Sequence, residues 1–258
     1  MLRELRLFLT AIQFFTRLPV PAWVGHSAQQ LEQSVRYFPL VGVCVGALSA
    51  AVLYLGAQLL PLAMAVVLSM AAAILVTGAF HEDGLSDFAD GMGGGHTREK
   101  ILAIMKDSRV GAYGVIALVL VLLLKYQALL ALCGRHSTLF IATALIAAHA
   151  VSRLMAASIM LTQRYIRDDD TARAKPAAQI SLNSFAIALL TGLAALGLLS
   201  ASGADNAAIL AATTAAISMR AYLAWRLQKR LGGYTGDCLG AVQQLCELAF
   251  YLGLLAAF

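Results

Sequence analysis

The chain is short of charge. Only 13% of its 258 residues are Asp, Glu, Lys or Arg, while 60% are hydrophobic; soluble domains run near about 25% charged and about 45–50% apolar. From Tyr37 to Phe80 there is no charged residue at all. With a mean hydropathy of +0.77, this composition excludes a soluble globular domain and describes an all-α integral membrane protein. Paired cysteines are also missing. Cys44, Cys133, Cys238 and Cys246 stand far apart or inside apolar runs, with no CxxC, which leaves buried structural thiols and argues against a zinc or iron–sulfur site. The net charge is +5, but its basic residues are scattered among loops. That pattern argues against a nucleic-acid partner and for topology and contact with the lipid bilayer. There is no internal repeat and no low-complexity linker, so residues 1–258 read as one membrane-embedded domain. The start, MLRELRLFLTAIQFFTRLPVP, is interrupted by Arg and Gln and has no small-residue cleavage site. It reads as an interfacial amphipathic helix within segment 1–37, with Arg3, Glu4 and Arg6 on the wet side, rather than as a signal peptide.

A membrane-crossing helix takes about 20 mostly apolar residues. Candidate spans fall near 38–58, 62–80, 110–132, 138–162, 183–202, 206–226 and 238–258, a polytopic bundle of about seven transmembrane helices. Basic residues alternate with them. Arg3, Arg6, Arg17 and Arg36 precede the first span. Arg98, Lys100, Lys106 and Arg109 follow the second, Arg164, Arg167, Arg173 and Lys175 the fourth, and Arg226, Lys229 and Arg230 the sixth. The other connections hold only Arg135. The positive-inside rule therefore places the N-terminus and the three basic loops in the cytoplasm. Asp168 to Asp170 read as a solvated loop face. Small residues over 183–217 leave room for close helix contacts, including those of a homo-oligomer.

The charge that is present is concentrated. HEDGLSDFADG carries Glu82, Asp83, Asp87 and Asp90 directly after the uncharged stretch. Asp83, Asp87 and Asp90 stand at i, i+4 and i+7, one stripe of a helix within about 60°. Carboxylates so arranged repel one another unless a cation joins them. The segment 81–109 thus reads as a cytoplasmic site for a hard divalent metal, with Glu82 adding charge. The KDSRVGAYG run that follows places Lys106, Asp107 and Arg109 together, and its two basic residues suit phosphate oxygens.

Two further constellations stand out. RLQKRLGGYTGD leads from Lys229 through three glycines to Asp237, with Glu247 ten residues deeper. A carboxylate inside an apolar helix is functional or paired; Arg220 and Arg153 are the partners to expect for Glu247, and the glycines also suit a tight turn. Arg153, within HAVSR, needs a carboxylate, a phosphate or a watery cavity. Lys125 can snorkel.

Taken together these residues resemble the cobalamin synthase family, the adenosylcobinamide-GDP ribazoletransferases. The resemblance rests on FFTRLPVP at 14–21, FPLVG at 38–42, TGAFHEDGLSDFADG at 77–91, IMKDSRVGAYG at 104–114, AVSR at 150–153, LGGYTGDCLGA at 231–241 and Glu247. Members commonly carry HLDG where this chain has HEDG, so Glu82 is a departure. The resemblance implies a multi-pass enzyme of the bacterial cytoplasmic (inner) membrane. It implies transfer of the adenosylcobinamide phosphate group from adenosylcobinamide-GDP to α-ribazole or its 5′-phosphate, with release of GMP and Mg2+ as cofactor. Asp83, Asp87, Asp90 and Glu82 are then the metal candidates. Asp87, Asp90 and Asp237 are candidates to take the hydroxyl proton, and Lys106, Asp107, Arg109, Arg153, Lys229 and Glu247 line the substrate. A distant likeness to CDP-alcohol phosphotransferases is an analogy only, since no Ala-Arg follows Asp83-Gly84. The rival reading is a transporter of a divalent metal or small molecule. That reading expects acids near the bilayer midplane and repeated halves.

Overall fold

Apolar sequence becomes helix here because hydrocarbon offers no partner to a backbone N–H or C=O, and a helix satisfies both within one segment. A computed structural model describes residues 2–166 and 179–257. Its α-helices are α1 (Leu2–Phe15), α2 (Ala28–Ser34), α3 (Phe38–Leu59), α4 (Leu62–Thr77), α5 (Phe80–Gly94), α6 (Arg98–Met105), α7 (Ala112–Cys133), α8 (Thr138–Thr162), α9 (Leu182–Ala201), α10 (Asn206–Leu231) and α11 (Gly236–Ala256). Among the described residues, α3 with its lead-in and α7 to α11 are each long and apolar enough to cross a membrane. The α4–α5 pair passes that test only when its two helices are taken together, and they meet at an angle of 88°. Arg167, Asp168 to Asp170, Arg173 and Lys175 lie outside the described residues.

The expected 62–80 span ends at Thr77 instead. Gly78 and Ala79 both take left-handed backbone, φ 65° and 57°, and the Ala79 N–H closes back on the Ile74 carbonyl at 2.9 Å. Left-handed geometry at Gly carries no Cβ penalty, whereas at Ala79 it costs about 1–2 kcal/mol. The N-terminal segment holds the bend. Arg17 donates its backbone N–H to the Val76 carbonyl at 2.6 Å, and its side chain packs over Gly78 where a Cβ would sit. Phe15 stacks edge-on against Phe38 with centroids 3.9 Å apart, and Phe14 and Phe15 both meet Phe80 at 5.8 Å. The expected wet face of α1 is partly covered, because Glu4 accepts from the Tyr37 hydroxyl at 2.8 Å and pairs with Arg36 at 3.3 Å.

Helices α8 and α11 form the centre. In each, 78% of the apolar stretch is buried, against 22–39% for the other spans. The outer helices turn Val115, Ile116, Val119 and Leu120 of α7, and Leu190 and Leu193 of α9, outward, a band of apolar surface that only lipid covers at low cost. Small residues of the 183–217 stretch serve contacts within the chain: Gly192 lies against Leu154, and Ala212 abuts Gly253 of α11.

Candidate active site

The site forms where α5 crosses the first turn of α11. A Cβ on Gly84 would stand 3.0 Å from the Asp237 carbonyl, and one on Gly240 would stand 3.0 Å from the His81 carbonyl and 3.2 Å from the Gly84 Cα. Only two glycines let the backbones approach so closely. Thr235 caps α11, and Asp237 follows in that first turn, beside the aspartates of α5. Three further contacts gather helix ends onto the same face. Tyr234 donates its N–H to the Arg164 carbonyl at 3.0 Å, Ile166 returns one to the Tyr234 carbonyl at 2.9 Å, and Arg230 donates to the Gly95 carbonyl at 2.6 Å. The GGYTGD segment is thus a tight turn and also a brace. Gly232 takes φ 74° after α10, and Gly233 packs on the Arg164 carbonyl.

Along α5 the aspartate stripe is real, but its members differ. Asp83 is exposed, Asp87 half-buried and Asp90 buried. Asp90 accepts the backbone N–H of Gly111 at 2.7 Å and of Gly114 at 2.9 Å. It thereby caps the start of α7, two otherwise orphaned donors at a positive helix end. Both glycines are obligatory for that cap, since a Cβ on Gly111 would stand 2.8 Å from the Asp90 carboxyl carbon and one on Gly114 would overlap Asp90 and Ser86. That is the physical content of VGAYG. At Asp87, burial and then the like charges of Asp83, Asp237 and Asp90 push the carboxyl up to about 6. Asp237, more than 140 positions further along the chain than α5, is therefore electrically part of the stripe.

Glu82 does not join the stripe. One residue along a helix is about 100° around its axis, and this turns Glu82 inward, buried, where it accepts from Gln244 at 2.8 Å. Beyond it lies a second polar cluster deep in the bundle. Glu247 is fully buried and pairs with Lys125 at 2.6 Å, not with Arg220 or Arg153. It also accepts from Gln243 at 2.7 Å and from the Tyr251 hydroxyl at 3.3 Å, and meets His149 at 3.4 Å. Lys125 therefore does not snorkel, because its ammonium has a better partner inside than any route to water would give. Arg220 instead donates to the Ser158 hydroxyl and carbonyl, each at 2.8 Å. Arg153 is 3% exposed; its Nη1 donates to the His149 carbonyl at 3.0 Å and its Nε has no hydrogen-bond partner.

The basic residues of the expected substrate face lie on three different segments of the chain. Lys106 is exposed at the end of α6. Arg109 forks onto Asp107, with the shortest contact 2.6 Å; that hydrogen bonding holds the Asp107 carboxyl down at about 2. The Lys229 ammonium sits over the Trp225 ring, 5.0 Å from its centroid.

All-oxygen donors suit a hard dication, and the repulsion felt at Asp87 is what such an ion relieves, so Mg2+ fits the chemistry of Asp83, Asp87 and Asp237. Among the described residues, no three His, Cys, Asp or Glu side chains are already gathered around one point as a metal centre. Sequence reasoning missed several positioning residues: Arg17, Ser86, Arg230 and the Gly84–Gly240 pair. Only the glycine spacing in DGLSD, VGAYG and GDCLG hinted at them.

The sequence profile of the cobalamin-5-phosphate synthase family matches residues 7–255. The chain belongs to this family. A relative from Leptothrix cholodnii, named adenosylcobinamide-GDP ribazoletransferase, is 48% identical over 258 aligned positions, covering 99% of this chain and 97% of the relative. One of the same name from Shewanella frigidimarina is 46% identical, covering 99% and 96%. No solved structure matches the chain. As a member of the family it is a multi-pass membrane transferase. The aspartates cluster where α5 crosses α11, and the deep acid, Glu247, is paired with Lys125.

Proposed function

We propose that the chain is an adenosylcobinamide-GDP ribazoletransferase. It joins adenosylcobinamide phosphate to α-ribazole or its 5′-phosphate and releases GMP, a late step of cobalamin assembly, at the cytoplasmic face of a bacterial inner membrane. The observation that carries this reading, beside the family, is the meeting of Asp83, Asp87 and Asp90 with Asp237 at the Gly84–Gly240 crossing. The three aspartates of α5 have no ion-pair partner among the described residues.

Asp83, Asp87 and Asp237 are the residues to hold Mg2+, which when bound neutralises diphosphate charge and eases departure of the nucleotide. The rest is work for the chain itself. A ribazole hydroxyl oxygen forms the new bond to the phosphorus carrying cobinamide, and the P–O bond to GMP breaks. The hydroxyl proton passes to a carboxylate. Asp87 is the first candidate to accept it and Asp237 the second, since both stand beside the site where the hydroxyl would lie. Asp90 is spent on Gly111 and Gly114, so its part is to hold α5 against α7. Lys106, Arg109 and Lys229 supply positive charge for phosphate oxygens at the same end of the bundle, and most of the rate comes from positioning and electrostatics.

The test is GMP release by purified protein given adenosylcobinamide-GDP and α-ribazole 5′-phosphate, with Mg2+ and with chelator. The expected outcome is turnover with both substrates and Mg2+, and loss with chelator. Absence of GMP release, together with uptake of divalent metal into sealed vesicles, would favour transport instead.

A further inference from the structure

Glu82 takes no part in the chemistry above, yet the fold buries it. It sits beside Asp83 on α5 and accepts from the Gln244 amide of α11 at 2.8 Å. That amide is not free to follow it. The same nitrogen also donates to the Gln243 side-chain oxygen at 2.9 Å. Gln243 in turn donates to Glu247 at 2.7 Å and to the Ser152 hydroxyl of α8 at 3.1 Å. Glu247 is tied to Lys125 of α7 at 2.6 Å. An unbroken chain of side-chain contacts thus runs from the aspartate helix through α11 to α8 and α7.

What α5 needs from its neighbours is a fixed rotation. Where it crosses α11, Gly84 meets Gly240, and glycines present no ridge to seat in a groove. Leu85 clusters with Val121, Ala241 and Leu248, but apolar contact is not directional. Carboxylate oxygens stand about 5–6 Å from a helix axis. A turn of α5 by about 10° therefore moves those of Asp83 and Asp87 by about 1 Å, enough to spoil a metal site. Two sets of directional bonds oppose that turn. Asp90 is held by the Gly111 and Gly114 N–H groups at the start of α7. Glu82, about 12 Å away along the axis, is held by Gln244. Asp83 and Asp87 lie between the two. We infer that Glu82 is a positioning residue: bound to Gln244, it sets the rotation of α5 that aims Asp83 and Asp87 toward Asp237, and with it the affinity for the dication. This rests on the metal site of the transferase reading and deepens it.

The experiment titrates the full-length protein in detergent, without substrate, with Mn2+ as a paramagnetic stand-in for Mg2+. Free Mn2+ is read by electron paramagnetic resonance. Glu82→Leu breaks the bond at α5, and Gln244→Met breaks it from α11 without altering α5. Each weakens Mn2+ binding by about 10- to 100-fold, the span of one charge-assisted hydrogen bond. The double variant is no weaker than the worse single one, because both remove the same contact. Glu82→Gln keeps an acceptor oxygen for Gln244 and stays within about fivefold of native, the gap between a charged and a neutral acceptor. Native Mn2+ affinity in Glu82→Leu and Gln244→Met, even with a lowered Tm, makes the contact a stabiliser only and overturns the proposal. Equal losses in Glu82→Gln and Glu82→Leu overturn it too, because the carboxyl would then be a metal ligand itself. Native protein that binds no Mn2+ removes the dication site and the proposal with it. The titration does not depend on turnover, so failure of the transferase reading shows separately, as native protein that binds Mn2+ and releases no GMP.

Discussion

Gly114 gives the most exacting test of how the aspartate helix is held. Gly114→Ala adds a Cβ that overlaps Asp90 and Ser86 and stands 3.0 Å from the Ser86 carbonyl. The neighbours include backbone, so rotating one side chain does not make room. Asp90 must leave, breaking charge-assisted bonds of 2.7 and 2.9 Å to Gly111 and Gly114. Hydrogen bonds to a charged group contribute about 1.5–3 kcal/mol each, so the local loss is about 3–6 kcal/mol. Replacing glycine by alanine in a helix returns at most about 1 kcal/mol. The net effect is separation of α5 from α7, with Asp83 and Asp87 displaced. Gly197→Ala is the control, since a Cβ there meets nothing within 4 Å. Thermal unfolding in detergent and GMP release are read for both. The expected result is a clearly lowered Tm and activity down by about 100-fold or more for Gly114→Ala, a 1 Å misplacement being enough for that, with Gly197→Ala unchanged or slightly stabilised. If Gly114→Ala matches the native protein in both measurements, the Asp90 cap does not position the site.

Other outcomes follow from the same geometry. Asp83→Asn and Asp237→Asn keep their Tm within a degree or two, as expected for partly exposed side chains, and lose GMP release; a variant with native turnover removes its aspartate from the site. Lys125→Met or Glu247→Gln alone leaves a buried charge unpaired and costs about 3–5 kcal/mol, while the double variant recovers most of that loss; additive losses in unfolding experiments would contradict the pairing. Protons and metal compete at Asp87. Because burial and neighbouring carboxylates raise its pKa to about 6, it is ionised at pH 7.5 and protonated at pH 5. The Mg2+ concentration for half-maximal activity therefore rises by up to roughly tenfold per pH unit below 6, and a flat requirement between pH 7 and 5 would contradict that role.

The apolar runs determined the class and the six to seven helices long enough to cross a membrane, because span length and helix formation follow from local composition in a solvent without hydrogen bonds. The i, i+4, i+7 spacing likewise determined that Asp83, Asp87 and Asp90 share one stripe, since a helix repeats at 3.6 residues. Local rules cannot say what a stripe faces. Only the tertiary structure decided that Asp90 turns into α7, that Glu82 leaves the stripe for Gln244, and that Lys125 rather than Arg153 or Arg220 neutralises Glu247. The bend at Gly78–Ala79 and the arrival of Asp237 were decided the same way. Each depends on two segments far apart in sequence approaching to within a glycine's width, and such contacts are set by packing between helices and not by the periodicity of either one.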